Sequence, residues 1–308
     1  MASPSCELES RNGTPHSVRA CKLLLTAAGA DRHDSGTPGS GLECKRAEFS
    51  REETVSNFLT RIAWAAFPLV VPVGVAVAAR LKVMSTLAFI ELWHELKPKF
   101  EAAGHQIDLV LAPGGAINKR IAEGETGDVV VNPTSGIERL VKDGKAVAGT
   151  SRVVARAGVG VAVRKGAPKP DISTADALRR ALLSANAVAY TDPAAGGGSG
   201  IHFAKVLQRL GIADQVNAKA KLGGGVLNGE VVARGDAEIA IQQIPELMAV
   251  SGVDIVGPLP GDLQLVTSFS AALLSSSKDP KTATALIELL TSHGSAAALK
   301  AKGFEVQH

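Results

Sequence analysis

Leu81-Lys-Val-Met-Ser-Thr-Leu-Ala-Phe-Ile-Glu-Leu-Trp-His-Glu-Leu96 changes its hydrophobic period partway along. Leu81 to Met84 reads as a short strand. From Ser85-Thr86 onward the apolar residues fall at Phe89, Leu92, Trp93, Leu96 and Phe100, the i, i+3, i+4, i+7 stripe of a helix that Gly104 ends. The same switch then repeats. Ile107 to Ala112 is a strand, and Pro113-Gly114-Gly115 leads into a helix carrying Ile117, Lys119, Arg120 and Ile121. Gly127 to Val131 is a strand, Gly136 to Asp143 a helix, and Val153 to Val163 a Val-rich extended run. Strand and helix in alternation predict an α/β fold with a mostly parallel sheet flanked by helices. Such sheets gather ligands beyond the carboxyl ends of their strands, where helix N-termini aim free N–H groups.

Composition agrees with this class. The 308 residues are 45% apolar but only 4% aromatic, so the core must be built from Ala, Val, Leu and Ile, which suits strands covered on both faces. The net charge is +3, with no long basic run and no aromatics interleaved with bases, which argues against a nucleic-acid partner. Cys6, Cys21 and Cys44 all precede residue 57, so the region beyond it offers no thiol nucleophile, disulfide or thiolate metal site. The histidines are scattered without metal-ligand spacing, and neither a metal nor another cofactor is expected.

Residues 1–56, rich in Ser, Gly, Glu and Arg, read as disordered or as an upstream segment outside the true reading frame start. Residues 57–79 combine Arg61, an apolar run and the small-x-small end Ala76-Val77-Ala78, which is the pattern of an export signal. Pro68, Pro72 and Gly74 weaken that run as a permanent span, and it falls short of the ~20 residues a spanning helix needs. The expectation is a periplasmic mature chain from about Arg80 that does not span the membrane, with translation starting near Asn57.

The strongest local signal is Asp192-Pro-Ala-Ala-Gly-Gly-Gly-Ser-Gly200, ahead of the amphipathic run Ile201-His-Phe-Ala-Lys-Val-Leu207. Four glycines before a helix let backbone N–H groups approach an anion without obstruction by Cβ. The loop lacks the Gly-Lys-Ser/Thr of a Walker motif and the Rossmann spacing, and Gly198-Ser-Gly200 is not a nucleophile elbow. Its other reading is a flexible turn capped by Ser199. Gln242 and Gln243 follow the apolar run Ala237 to Ile241, and strand alternation should turn one of them toward the ligand. Gly223-Gly-Gly225 reads either as a further anion-facing turn or as a hinge.

Taken in order, Ser85-Thr86-Leu87, Lys119-Arg120-Ile121-Ala-Glu-Gly124 with Gly127-Asp128-Val-Val-Val131, Asp192-Pro193, Gly200-Ile201 with Ala204-Lys205, and the tail Ala298-Leu-Lys-Ala-Lys-Gly303-Phe304 resemble the periplasmic molybdate-binding proteins. These belong to the ABC-transporter substrate-binding proteins of the two-lobed, hinge-closing kind (type II). The resemblance spans nearly all of 80–308. It implies two α/β lobes, here 80–157 plus 265–308 and 158–264, with crossings near Arg152–Gly158 and Leu265–Ala271. It implies a small anionic ligand, an ABC permease as partner and a monomer.

The chain also departs from that pattern. Where the resemblance implies serines at the second junction stand Pro113-Gly114-Gly115, and where it implies a tyrosine in the second lobe stands Ile241, beside Gln242 and Gln243. Arg156 falls at the first crossing. A bidentate guanidinium suits a carboxylate better than an oxyanion held by neutral donors, so an organic polycarboxylate is preferred over molybdate. The expected ligand-binding residues are Ser85, Thr86, Gly114, Gly115, Arg156, Tyr190, Gly198, Ser199, Gly200, Gln242 and Gln243. The sequence is also similar to a branch that includes a periplasmic aconitate isomerase. That reaction needs a group to take an allylic proton and return it, and His202 is the residue selected for this role, with packing on the helix surface as its other reading. Tyr190 and Asp192 lie nearby in sequence. Asp192 otherwise caps the turn.

Overall fold

A computed structural model describes residues 79–306. The segment 1–56 and, apart from Ala79, the segment 57–79 expected to be an export signal lie outside the described residues. Among those described, no helix is long and apolar enough to cross a membrane.

The chain folds as β1 (Arg80–Thr86), a 3-10 turn (Leu87–Phe89), α1 (Ile90–Ala102), β2 (Gln106–Ala112), α2 (Gly114–Ala122), β3 (Val129–Pro133), α3 (Thr134–Lys142) and β4 (Arg152–Arg164). There follow α4 (Ala175–Ser184), β5 (Val188–Thr191), a 3-10 turn (Pro193–Ala195), α5 (Gly198–Arg209), α6 (Ala213–Asn217), β6 (Ala220–Gly223), α7 (Asn228–Ala233), β7 (Ile239–Gln243) and α8 (Ile244–Met248). The last elements are β8 (Val253–Pro258), a 3-10 turn (Gly261–Leu263), β9 (Val266–Leu273), α9 (Pro280–Leu290) and α10 (His293–Ala301). The strands are ordered β2-β1-β3-β9-β4-β7-β5-β6, with β8 alongside β4. β1 pairs in parallel with β2 and β3, and β5 in parallel with β6 and β7. The long strand β4 belongs to both halves, pairing antiparallel with β9 from Arg152↔Ala271 to Gly158↔Val266 and then with β7 from Val159↔Gln243. This is the two-lobed α/β architecture expected from the sequence.

Each half has its own core, and strand alternation explains the membership. In the first, Leu81, Val83 and Val131 face Phe89, Trp93, Phe269 and Phe304, while Met84 and Val130 face Ile117 and Ile137 on the other side. Phe304 of the tail stacks on Phe89 with centroids 4.6 Å apart. In the second, Val159, Val161 and Ile241 pack with Leu178, Tyr190 and Phe203, and Ala162, Ala189 and Ala240 cover Val232 and Leu247. Asp128 ties the first half together. Its carboxylate accepts from the Lys82 N–H (2.8 Å), the Ser277 hydroxyl (2.7 Å) and the Lys278 N–H (3.1 Å).

Several boundaries differ from the sequence reading. Ser85 and Thr86 end a strand instead of opening a helix, because both continue the pairing with Leu111 and Ala112. Gly114 and Gly115 are the first helical residues of α2 behind the extended Pro113. Gly198, Ser199 and Gly200 are likewise the first turn of α5, so the glycines are inside the helix start and not only before it.

Candidate functional site

The carboxyl ends of β1, β3, β5 and β7 meet at a cavity between the two halves. Its wall consists of Thr86 and Leu87 after β1, Pro113 and Gly114 at the start of α2, Pro133 after β3, Thr191 after β5, Gly197 to Ser199 at the start of α5, and Gln242, Gln243 and Glu246 from β7 and α8, closed by Thr267 and Phe269 of β9. The free space is about 30 Å³, room for about one water. The reason is visible in the backbone: the Gly115 N–H donates to the Gly196 carbonyl across the cleft at 3.0 Å. A Cβ on Gly115 would sit 2.7 Å from that oxygen, so only glycine lets the halves approach this closely. Gly225, with φ of +103°, faces Pro113 beside the same seam.

Two helix starts open onto the cavity. The first N–H groups of α2 and α5 have no partner within their own helices, and each carries the partial positive charge of a helix terminus. Both starts are pinned by their surroundings. Asn132, fully buried, donates to the Gly114 carbonyl (3.0 Å) and to Asn118 Oδ1 (2.8 Å). Gly200 packs so tightly that a Cβ would lie 2.0 Å from the Thr191 carbonyl oxygen. The Thr191 hydroxyl accepts from Asn228 Nδ2 (3.0 Å), which leaves its own proton to donate.

The expected residues divide into three groups. Thr86, Gly114, Gly198, Ser199, Gln242 and Gln243 line the cavity together, while Gly115 and Gly200 shape its backbone without forming its wall. Both glutamines line it, where alternation allowed one, because β7 turns into α8 at Gln243. Their amides are spent on the protein itself. Gln242 accepts from the Asn228 N–H (2.7 Å) and donates to the Val226 carbonyl (3.2 Å). The Gln243 amide is satisfied with its nitrogen toward the Ala157 and Gly158 carbonyls (3.1 Å each) and its oxygen toward the Thr267 hydroxyl (3.0 Å).

Five residues lie elsewhere. Ser85 is fully buried and accepts from the Trp93 indole N–H at 2.9 Å. Tyr190 is in the core against Phe203, its hydroxyl donating to Asn217 Oδ1 (2.6 Å), and burial pushes its pKa up. Arg156 is half-buried and outside the cavity wall: Ala155 and Ala157 point into the core, so alternation turns Arg156 to the opposite face, while its backbone pairs with Glu305 of the tail. His202 sits on α5 with Nε2 at 2.7 Å from the Leu263 carbonyl, also outside the wall. Asp192 caps the turn after β5, accepting from the Ala194 N–H at 2.8 Å.

Besides Thr191, sequence reasoning missed Glu246. It is 6% exposed, lines the cavity, and its pKa is raised to about 7, chiefly by burial, with the Gln243 N–H and the Gln242 side chain opposing the shift. Among the described residues it has no ion pair. The available signal was Gln243-Ile-Pro-Glu246, a capping box, which reads as helix punctuation. A larger cavity of about 410 Å³ opens at the amino end of β7 and the carboxyl end of α4, lined by Val163, Ala181 and Ile239. It faces away from the strand ends where α/β ligands gather, and its Glu238 is tied to Asn186.

Comparison with known proteins is consistent with this geometry. Residues 81–305 match the family model described as bacterial extracellular solute-binding protein. A curated relative named aconitate isomerase, from Pseudomonas sp, is 38% identical over 233 residues, covering 73% of this chain and 87% of that protein. Among solved structures, the periplasmic molybdate-binding protein of Azotobacter vinelandii superposes with a TM-score of 0.63 at 19% identity, covering 74% of this chain and all of that one. The sulfate-binding protein SubI of Mycobacterium tuberculosis H37Rv gives 0.59 at 20%, covering 73% and 86%. At these identities the structural likeness concerns the fold.

Proposed function

The chain belongs to the bacterial extracellular solute-binding proteins, and on that premise we propose that it captures a small polycarboxylate such as aconitate in the periplasm and passes it to an ABC permease. The lobes are 80–157 plus 265–308 and 158–264, the signal is 57–79, and the mature chain acts as a monomer. One observation carries the reading: the starts of α2 and α5 face each other across one cavity with hydroxyls of Thr86, Thr191 and Ser199 around them. N–H groups at helix starts attract negative charge without a cationic side chain. The ligand bridges both halves, so it stabilises the shut form in proportion to its preference for that form. A six-carbon acid exceeds the space left at the Gly115–Gly196 contact, so capture proceeds from a wider arrangement. The polycarboxylate rests on the kinship with the isomerase, since Arg156 does not line the cavity.

The same kinship, with a buried acid in the cleft, favours a second reading: isomerisation of aconitate on this scaffold. A thermal-shift series with cis-aconitate, trans-aconitate, citrate, sulfate and molybdate tests the first, because a ligand raises the melting temperature by mass action. Incubation with cis-aconitate and chromatography for the trans form tests the second. A shift with sulfate or molybdate alone removes the polycarboxylate. A shift with aconitate and no turnover removes the enzyme.

A further inference from the structure

We propose that Glu246 is the proton-exchanging group of the cleft: a seated anion holds it as the neutral acid, so capture takes up a proton. The inference rests on the anion-binding reading above and adds its regulation. The cavity wall contains Glu246 and no Lys, Arg, His or Asp. The charged residues on elements packed against α8 are Arg152, Arg156 and Arg164 of β4, Glu230 of α7, Asp254 of β8, and Lys302 and Glu305 of the tail, whose Gly303 lies against Ile244 and Met248, and none of them lines the cavity or pairs with Glu246. The first 3-10 turn, β7 and β9 contribute none.

Glu246 is therefore a carboxyl buried among neutral groups, next to two helix starts that draw in negative charge. Two anions enclosed together without a cation repel strongly, and protonation of one removes the repulsion. The neutral acid also gains a donor, able to hydrogen-bond a carboxylate of the ligand. Burial without an ion-pair partner already brings the Glu246 pKa to about 7, so little further shift is needed for the proton to bind as the ligand does. One oxygen accepts a long hydrogen bond from the Gln243 N–H (3.3 Å), which a protonated carboxyl can retain through its carbonyl oxygen.

The test is titration calorimetry with trans-aconitate, from mildly acid to mildly alkaline pH, on the wild type and on Glu246→Gln. The ligand's own ionisation is common to both proteins and cancels in their comparison. The wild-type affinity should fall relative to the variant by up to about tenfold per pH unit above neutrality. In buffers of different ionisation enthalpy, the wild type should show proton uptake beyond that of the variant. The wild-type measurement stands even if the variant folds poorly, since a net uptake near one proton above neutrality supports the coupling. Parallel pH profiles and equal proton counts overturn the proposal and leave the ligand reading intact. Failure of trans-aconitate to bind either protein overturns the ligand reading and the coupling with it.

Discussion

Replacing Glu246 by Gln removes one titration from the cleft and keeps the shape of the side chain. The capping box tolerates the change, since Gln at the same helix position also reaches back to the cap N–H. In the folded chain the carboxyl titrates at about 7 instead of 4.5. A difference of roughly 2.5 in pKa at about 1.36 kcal/mol for each unit comes to about 3.4 kcal/mol. The sign follows from a folded pKa raised above the unfolded one. The stability Glu246 contributes is fully present below about 4.5, and it is lost as pH rises through about 7. The variant, neutral throughout, should match the wild type near the lower value and exceed it on the alkaline side by up to about 3 kcal/mol. For a chain of this size that corresponds to a rise in Tm of roughly 5–10 °C. Urea unfolding of both proteins without ligand, at mildly acid and mildly alkaline pH, measures the gap. A gap that does not change with pH refutes the argument, because Glu246 would then titrate like an exposed carboxyl.

Other substitutions probe separate parts of the structure. Gly200→Ala places a Cβ 2.0 Å from the Thr191 carbonyl oxygen, where backbone must move, and chemical denaturation should show a loss of more than about 2 kcal/mol. Asp128→Ala leaves two backbone N–H groups and the Ser277 hydroxyl without their acceptor, for an expected loss of about 2–4 kcal/mol in the same assay. Gly115→Ala, whose Cβ would press on Gly196, should shift the protein toward a more open form, seen as a larger radius of gyration by small-angle scattering together with weaker aconitate binding. His202→Ala should cost about 1 kcal/mol through its lost bond to Leu263 and leave any aconitate turnover unchanged; abolished turnover in a folded variant would return His202 to the chemistry.

The fold was legible because periodicity is set by secondary structure itself. The change of period after Met84 and the glycines at 114, 115 and 196–200 located the strand-to-helix junctions within a few residues. Ser85 shows where this stops. Its residue type and position both suit a ligand hydroxyl, yet it donates to the Thr86 carbonyl and accepts from Trp93, which helical spacing had already placed in the core. Arg156 fails for a related reason. The face a strand residue takes depends on register, and the irregularity between Val153 and Ala155 resets the alternation where the sequence gives no sign of it. Glu246 was hidden because its local role as a cap fully explains its presence; its burial comes from packing of α8 against β4 and the turn after β1, which are distant in sequence.

The absence of a cation from the cavity wall determines how an anion can be held there. A helix start carries the equivalent of about half a positive charge, so α2 and α5 together offer about one. That is enough for one carboxylate, provided the donors are close and fixed. The glycines meet this condition: Gly114 lies against Asn132, and Gly197 and Gly200 lie against Thr191, so both helix starts are held by strand ends and need no reordering when a ligand arrives. A di- or tricarboxylate brings more negative charge than two helix starts offset. Within the wall, the one group able to reduce that surplus is the carboxyl of Glu246, by accepting a proton. On this argument Arg156 is dispensable for binding. The balance of charge in the closed cleft is set by solution pH instead of by a fixed basic side chain.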